Sequence, residues 1–342
     1  MAAVKKCLVW DLDNTLWDGV CLEGNVSIKK DVLYSLTEMD NRGIINSIAS
    51  RGDEELSMNV LKKNKIDELF LVPQINWLPK SQNIIKISTE LGFPLNAMAF
   101  IDDDEFEREQ IKYMLPDVLT IEADMAKDLP YIAEFSPGKI TGEAKQRRHF
   151  YMAELKRRKM SHNYNSREEF LISCEMRLNI RVMKKEDIPR VLELMTRTHQ
   201  LNTTGLTLGQ DELSALLRRN GKMQNITVAE LEDKFGKYGI IGSAITETKG
   251  SLLNLKYLAL SCRVMGRGIE RALLAHLVRI SLQSNHSVWE AEFRDTGRNK
   301  MMRILYQMMG FKFYKESETK GTLIFRANFP DVPDIPEWIK IL

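Results

Sequence analysis

Over residues 5–135, short apolar runs alternate with stretches of helical period, and this alternation restricts the fold more than any other feature of the chain. Runs at 7–12, 44–50, 69–73, 97–102 and 118–122 read as strands, and stretches at 53–63, 80–91 and 104–114 read as helices. Strands interleaved with helices build βαβ units, so an α/β domain with a parallel sheet covered on both faces is expected. Such sheets carry their chemistry at the carboxyl ends of the strands. The conspicuous acidic residues of this half fall at those ends.

A chain of 342 residues is longer than one ordinary domain, and the element order changes partway along it. Phe135-Ser-Pro-Gly-Lys139 reads as a break. A helix-like stretch at 143–160 follows, carrying Lys145, Arg147, Arg148, Lys156, Arg157, Arg158 and Lys159. Ser166-Arg-Glu-Glu169 then resembles a capping box before an apolar run. The expected divisions are 1–140, a basic helical linker at 141–165, and 166–342. The second half shows a strand at 179–183, helices near 187–197 and 209–218, and strands near 226–231, 239–246 and 252–262. A long helix at 266–282, a strand at 288–293, a helix at 299–309 and strand-like segments at 310–314 and 323–326 complete it. That order suggests a mixed α+β sheet.

Composition narrows the function classes. With 44% hydrophobic and 28% charged residues the chain can bury real cores, which excludes disorder as a description of the whole. A formal net charge of +2 gives no field that argues for nucleic-acid binding. No apolar run approaches the roughly 18 residues of a membrane span, and the amino-terminal residues lack the pattern of a secretory signal. Cys7, Cys21, Cys174 and Cys262 show neither metal-like pairing nor a disulfide framework. A soluble, cytoplasmic protein with reduced thiols is expected.

Four elements deliver polar groups to one sheet edge. Cys7-Leu-Val-Trp-Asp-Leu-Asp13 is an apolar strand ending in Asp11 and Asp13. Ile48-Ala-Ser50 ends in a hydroxyl, Lys80 opens a helix, and Ala99-Phe-Ile-Asp-Asp103 ends in Asp102 and Asp103. The combination suits phosphoryl transfer. Carboxylates can hold Mg2+, while a hydroxyl and an ammonium bind phosphate oxygens. One carboxylate can attack phosphorus, and another can move the proton. Trp10 and Trp17 read as packing residues.

Asp-Leu-Asp-Asn-Thr, Ser50, Lys80 and the Asp-Asp pair resemble, in order and spacing, the four motifs of haloacid-dehalogenase (HAD) superfamily phosphatases. The resemblance implies Asp11 as nucleophile and Asp13 as general acid/base. It implies Ser50 and Lys80, with Asn14 and Thr15, as phosphate binders. Asp11, Asp13 and Asp102 would ligate Mg2+, with Asp103 as a further ligand or a partner to one. The short passage from Trp17 to Ile28 leaves little room for a large cap, so a large or protein-borne substrate is expected.

In the second half an apolar strand ends at Ser261-Cys262, and Arg263-Val-Met-Gly266-Arg-Gly268 leads into an amphipathic helix. Glycines there let backbone approach a ligand, and helix N-termini favour phosphate. The same pattern also suits an ordinary strand-to-helix turn. Arg-x-x-Gly-x-Gly resembles the pyrophosphate-binding loop of GCN5-related N-acetyltransferases (GNATs), and Asn299, Tyr306 and Gly310-Phe311 resemble the later part of that fold. The resemblance implies Arg263, Gly266, Gly268, Asn299 and Tyr306 as pantetheine- or acyl-binding residues. Cys262 is a candidate nucleophile or a small packing residue, and Cys21 is a weaker second thiol. Cys7 and Cys174 look structural. His199, in Thr198-His-Gln-Leu-Asn-Thr-Thr-Gly205, is either a base near a thiol or a capping residue.

A HAD-like half followed by a GNAT-like half resembles the FkbH-like family over nearly the whole chain. The most specific stretches are 9–19, 198–205, 235–242 and 261–270. Members are glyceryl transferase/phosphatases of polyketide biosynthesis. The resemblance implies 1,3-bisphosphoglycerate as substrate, an acyl carrier protein bearing phosphopantetheine as partner, and a glyceryl thioester as product. Neither nucleic acid nor membrane is expected as a partner. The basic helix could steer an acidic carrier protein or form a solvated linker face. Three rivals remain. One is a small-molecule phosphatase with a degenerate GNAT-like half. Another is an N-acetyltransferase fused to a regulatory phosphatase. The third is a phosphatase whose GNAT-like module only docks a carrier protein.

Overall fold

A computed structural model describes residues 4–136, 140, 142–218 and 224–342. The chain divides into two compact units, Met1–Leu155 and Lys156–Leu342. Part of the expected break at 135–139 lies outside the described residues.

The first unit runs β1 (Cys7–Trp10), β2 (Trp17–Asp18), β3 (Ser27–Ile28), α1 (Lys30–Asn41), β4 (Ile45–Ser50), α2 (Glu54–Lys63), β5 (Gln74–Ile75), α3 (Lys80–Leu91), β6 (Met98–Asp102), α4 (Glu105–Met114) and β7 (Leu119–Glu122). Five strands form a sheet in the order β5-β4-β1-β6-β7, and each neighbouring pair is parallel. Alternation along β1 explains its uninterrupted apolar run. Leu8 and Trp10 enter the core that includes Val32, Leu36 and Leu61, whereas Cys7 and Val9 enter the core that includes Ile84, Ile87 and Ile111. Both faces are therefore covered by helices. Between β1 and α1 lie only the β2–β3 hairpin and a single 3-10 turn, which leaves no inserted cap domain there. The strand expected at 69–73 begins later, at Gln74, because Val72 takes a left-handed backbone (φ +53°) that an extended strand cannot accommodate.

The helical stretch expected at 143–160 is two pieces, α5 (Gly142–Lys145) within the first unit and α6 (Arg147–Ser161), which runs across the division at Leu155. Their basic residues are partly committed. Arg148 pairs with Asp40, Arg147 donates to the Gly43 carbonyl, and buried Arg157 pairs with Asp233.

The second unit continues with α7 (Arg167–Ser173), β8 (Met176–Val182), α8 (Ile188–Arg197), α9 (Gln210–Arg218), β9 (Gln224–Asp233), β10 (Gly236–Lys249), β11 (Leu252–Leu260), α10 (Ile269–Gln283), β12 (Val288–Arg294), α11 (Lys300–Met308), β13 (Lys312–Glu316), β14 (Thr322–Asn328) and β15 (Ile339–Ile341). Eight strands form one mixed sheet in the order β13-β14-β12-β11-β10-β9-β8-β15. Ser166 caps α7 by accepting from the Glu169 N–H. β15 has no counterpart in the sequence reading, because three residues are too few to show a period. It pairs parallel to β8. β11 and β12 pair in parallel only from Leu252–Leu255 against Val288–Ala291, so the two strands are not paired beyond that point.

Candidate active site

At Asp11 the chain leaves the centre of the first sheet, and four separate loops meet there. Asp11 is almost sealed, at 4% exposed. Lys80, the first residue of α3, donates to Asp11 Oδ1 at 2.8 Å and to Asp102 Oδ2 at 2.6 Å. Ser50, at the end of β4, adds a hydrogen bond to Asp11. Carboxylate oxygens of Asp11, Asp102 and Asp103 lie within 4.8 Å of one another. Three carboxylates against one ammonium leave two negative charges uncompensated. An all-oxygen donor set with that charge fits a hard divalent cation.

Electrostatics follow from burial and this charge balance. Burial pushes the Asp11 carboxyl up to about 6; Lys80 opposes it, Asp102 adds to it, and the Lys80 and Ser50 hydrogen bonds oppose it. Asp102 is likewise raised by burial against the pull of Lys80. Burial would lower Lys80, but the two carboxylates outweigh it and hold the ammonium charged.

The remaining residues at this edge fall into distinct places. The Asp13 carboxylate is turned away from the other three. Its Oδ1 accepts from the Trp17 indole N–H at 2.7 Å and from the Cys21 backbone N–H at 3.0 Å. Asp13, expected with them to ligate Mg2+, is outside that carboxylate cluster, and its position suits proton handling. Asn14 and Thr15, expected to bind phosphate, also make contacts within the loops. Asn14 Oδ1 accepts from the Gly19 N–H and closes a turn, and Thr15 Oγ1 accepts from the Asp103 N–H at 3.1 Å.

Two residues at this edge escaped the sequence reading. Trp17 is a donor to Asp13 as well as a packing residue. Arg108 Nη1 donates to the Asp102 and Asp103 carbonyls at 2.9 and 2.8 Å, which fixes the acidic loop. Its signal was present: a cation one helical turn after Asp104, the cap of α4. The same edge exposes Leu56, Trp77 and Phe106, large apolar side chains on the first turn of α2, before α3 and on the first turn of α4.

In the second unit, residues 201–203 pair with β11. Leu260 N–H donates to the Leu201 carbonyl at 2.9 Å, and Thr203 N–H to the Leu258 carbonyl at 3.0 Å. Arg294 N–H, at the end of β12, also donates to the Thr203 carbonyl. The segment thus occupies β11's edge where its pairing with β12 has ended. This pairing brings Gln200 against Cys262, in the 3-10 turn Cys262–Val264. His199, one residue earlier, is exposed. Cys262 is exposed at the surface. Partial burial pushes its thiol up, with the Gln200 backbone hydrogen bond acting against that shift.

Asn299 and Tyr306 lie inside the core rather than on an open ligand face. Asn299 Nδ2 donates to the carbonyls of Asn202, Thr203 and Arg294, and its Oδ1 accepts from Thr296 N–H. The Tyr306 hydroxyl donates to the Glu292 carbonyl. Their place is behind the 199–205 segment. Arg263 folds back on Ser261. Gly266 (φ +72°) and Gly268 (φ +78°) have left-handed backbones, as their loop requires. Other parts of the chain touch this loop. Arg167 donates to the Gly266 carbonyl, Trp338 donates to the Arg267 carbonyl at 2.7 Å, and a Cβ on Gly268 would stand 2.9 Å from Pro336 Cγ.

The folds and the acidic edge define a two-part chain: a parallel α/β unit with carboxylates gathered at its strand ends and no domain inserted between β1 and α1, followed by an α+β unit built on one mixed sheet. No protein-family profile and no curated protein matches the chain. Among solved structures, it is similar to the N-terminal part of a Bacteroides fragilis protein containing a phosphatase domain, complexed with Mg. That likeness is 28% identical over 39% of this chain and 40% of that one, with a TM-score of 0.35. The chain therefore spans less than half of that structure's length. It is also similar to the ribosomal-protein-S18-alanine N-acetyltransferase of Escherichia coli, 18% identical over 46% of this chain and 97% of that one, with a TM-score of 0.35. A third likeness is to the PaiA N-acetyltransferase of Thermoplasma acidophilum in complex with coenzyme A. It is 14% identical over 44% of this chain and 99% of that one, with a TM-score of 0.36.

Among the described residues no helix is long and apolar enough to cross a membrane.

Proposed function

We propose that the first unit is a Mg2+-dependent phosphomonoesterase that uses Asp11 as nucleophile. The convergence of Asp11, Asp102 and Asp103 around Lys80 supports this reading above any other observation. Asp11, Asp102 and Asp103 would hold the cation, which when bound neutralises charge on the phosphoryl oxygens. An Asp11 oxygen forms a bond to phosphorus as the ester P–O bond breaks, and Asp13, aimed by Trp17, gives a proton to the leaving oxygen. Asp13 then takes a proton from water, whose oxygen attacks phosphorus and releases Asp11 and phosphate. Lys80 and Ser50 bind the phosphoryl oxygens. The absence of an inserted cap between β1 and α1, and exposed Leu56, Trp77 and Phe106, suit a large or protein-borne substrate.

The whole chain, in this reading, is a glyceryl transferase/phosphatase of the FkbH-like type acting in polyketide biosynthesis. The substrate is 1,3-bisphosphoglycerate. Its first carbon is a mixed anhydride, so the Cys262 thiolate can form a thioester and expel phosphate without ATP. The phosphopantetheine thiolate of an acyl carrier protein then attacks that thioester and expels Cys262. Exposure of Cys262 supports the capture step, and His199 sits one residue from its backbone partner Gln200.

A second reading has the GNAT-like unit only docking the carrier. It is favoured by the raised Cys262 thiol and by residues 201–203 occupying the β11 edge. The test is to incubate the chain with 1,3-bisphosphoglycerate, Mg2+ and holo-carrier protein, and to weigh enzyme and carrier. A glyceryl adduct on the carrier that is lost in Cys262→Ala supports the transferase. An adduct that survives Cys262→Ala removes Cys262 from the mechanism, and no adduct at all removes glyceryl transfer.

A further inference from the structure

Arg51 follows Ser50 directly, at the carboxyl end of β4. Its Nη2 lies 3.1 Å from Oε1 of Glu107, on the first turn of α4 after β6. In the sheet β4 and β6 flank β1. An ion pair from the loop after β4 to the helix after β6 therefore crosses the end of β1, where Asp11 stands. The two partners differ in exposure: the Glu107 side chain is 6% exposed and that of Arg51 is 43%. Glu107 Oε2 has no hydrogen-bond partner among the described residues, so this buried carboxylate serves chiefly as a tether for Arg51.

The charge around the pair gives Arg51 a task. Asp53, Glu54 and Asp104, Glu105 make this edge acidic, and Lys80 is already shared between Asp11 and Asp102. An anionic substrate tail leaving the phosphoryl site would be repelled unless a cation met it. A guanidinium carries five N–H donors in a planar fork that suits carboxylate and phosphate oxygens. One edge of Arg51 is held by Glu107, the rest of its side chain is exposed, and the residue before it, Ser50, hydrogen-bonds Asp11.

We propose that Arg51, aimed by Glu107, is the subsite for a second anionic group, so that the preferred substrates are phosphomonoesters bearing a carboxylate or a second phosphate a few bonds from the ester. This rests on the phosphatase reading above. The anion accepts charge-assisted hydrogen bonds from Arg51 while the ester phosphate sits at Asp11.

The test compares 3-phosphoglycerate, 1,3-propanediol bisphosphate and glycerol 3-phosphate, using phosphate release with Mg2+ by the full chain. Arg51→Gln is expected to raise KM for the first two by about ten- to a hundred-fold, the range for a lost hydrogen bond to a charged group. The rise for glycerol 3-phosphate is expected to be far smaller, and the change is carried in KM rather than kcat. Effects on the first two probes separate a carboxylate subsite from a phosphate subsite. If Arg51→Gln fails to fold because Glu107 is left unpaired, Arg51→Gln/Glu107→Gln carries the same test with a neutral pair. An equal KM rise for all three esters, or none, overturns the subsite and leaves the phosphatase standing. No hydrolysis of any ester by the unaltered chain overturns both.

Discussion

Lys80→Met is the most informative single change in the first unit. The Lys80 ammonium is 2.8 Å from Asp11 and 2.6 Å from Asp102, and the three side chains are 6%, 6% and 0% exposed. Removing one partner of a buried ion pair costs about 3–5 kcal/mol, because the other charge is left without compensation. Here two carboxylates lose their shared cation, so the upper part of that range is expected at neutral pH.

The pH dependence has a definite sign. Burial already raises Asp11 to about 6 with Lys80 present, and removing Lys80 raises it further. A carboxyl whose folded pKa lies above its unfolded value of about 3.9 makes the fold less stable as pH rises between the two values, and the loss levels off above the folded pKa. The variant's deficit relative to the parent should change little below about pH 6, where Asp11 is largely protonated in both folded proteins. Above that the Asp11 contribution should grow by at most about 1.4 kcal/mol per pH unit and become flat above the variant's own, higher folded pKa. A divalent cation that binds the three carboxylates stabilises the folded state by mass action, so Mg2+ should recover more stability in the variant than in the parent. Denaturant-dependent hydrogen exchange of peptides from β1, β4 and β6 isolates the first unit and measures all three effects. A deficit below about 1 kcal/mol, constant with pH and indifferent to Mg2+, would refute the charge balance drawn here.

Two further outcomes follow from single contacts. Trp17→Phe keeps the ring but removes the 2.7 Å donor to Asp13, so kcat for a phosphomonoester should fall about tenfold or more with little change in KM, and an unchanged kcat would free Asp13 from that dependence. Gly268→Ala adds a left-handed backbone penalty and a Cβ 2.9 Å from Pro336 Cγ, whereas Gly297→Ala adds only the backbone penalty. Thermal unfolding should therefore show Gly268→Ala costing about 1–3 kcal/mol more than Gly297→Ala, and equal losses would mean the C-terminal segment does not hold that loop.

The parts legible in the sequence were those set by strong local periods. β1 and β6 read correctly because each is apolar on both faces and ends in carboxylates, so period and terminus agree. The convergence of Asp11, Asp102 and Lys80 was likewise readable, since a parallel sheet sends every strand end to one edge. What the sequence concealed was where side chains turn after they arrive. Asp13 is pulled from the carboxylate cluster by Trp17 and Cys21, and Thr15 accepts from the Asp103 N–H. Asn299 shows the same limit in the second unit: the resemblance implied an amide that binds pantetheine or an acyl group, yet it braces three backbone carbonyls. The contacts that Arg167 and Pro336 make with the Gly266 and Gly268 loop come from residues far along the chain, which no local pattern reveals.

The central claim is that Asp11 takes the phosphoryl group. Acid-quenched turnover with Mg2+ and a phosphomonoester, followed by peptide mass spectrometry, measures it directly. A phosphoryl adduct on the peptide containing Asp11, present during turnover, gone after substrate is exhausted and absent in Asp11→Asn together with activity, is the expected result. Phosphate release that persists at the parent rate in Asp11→Asn would contradict the account.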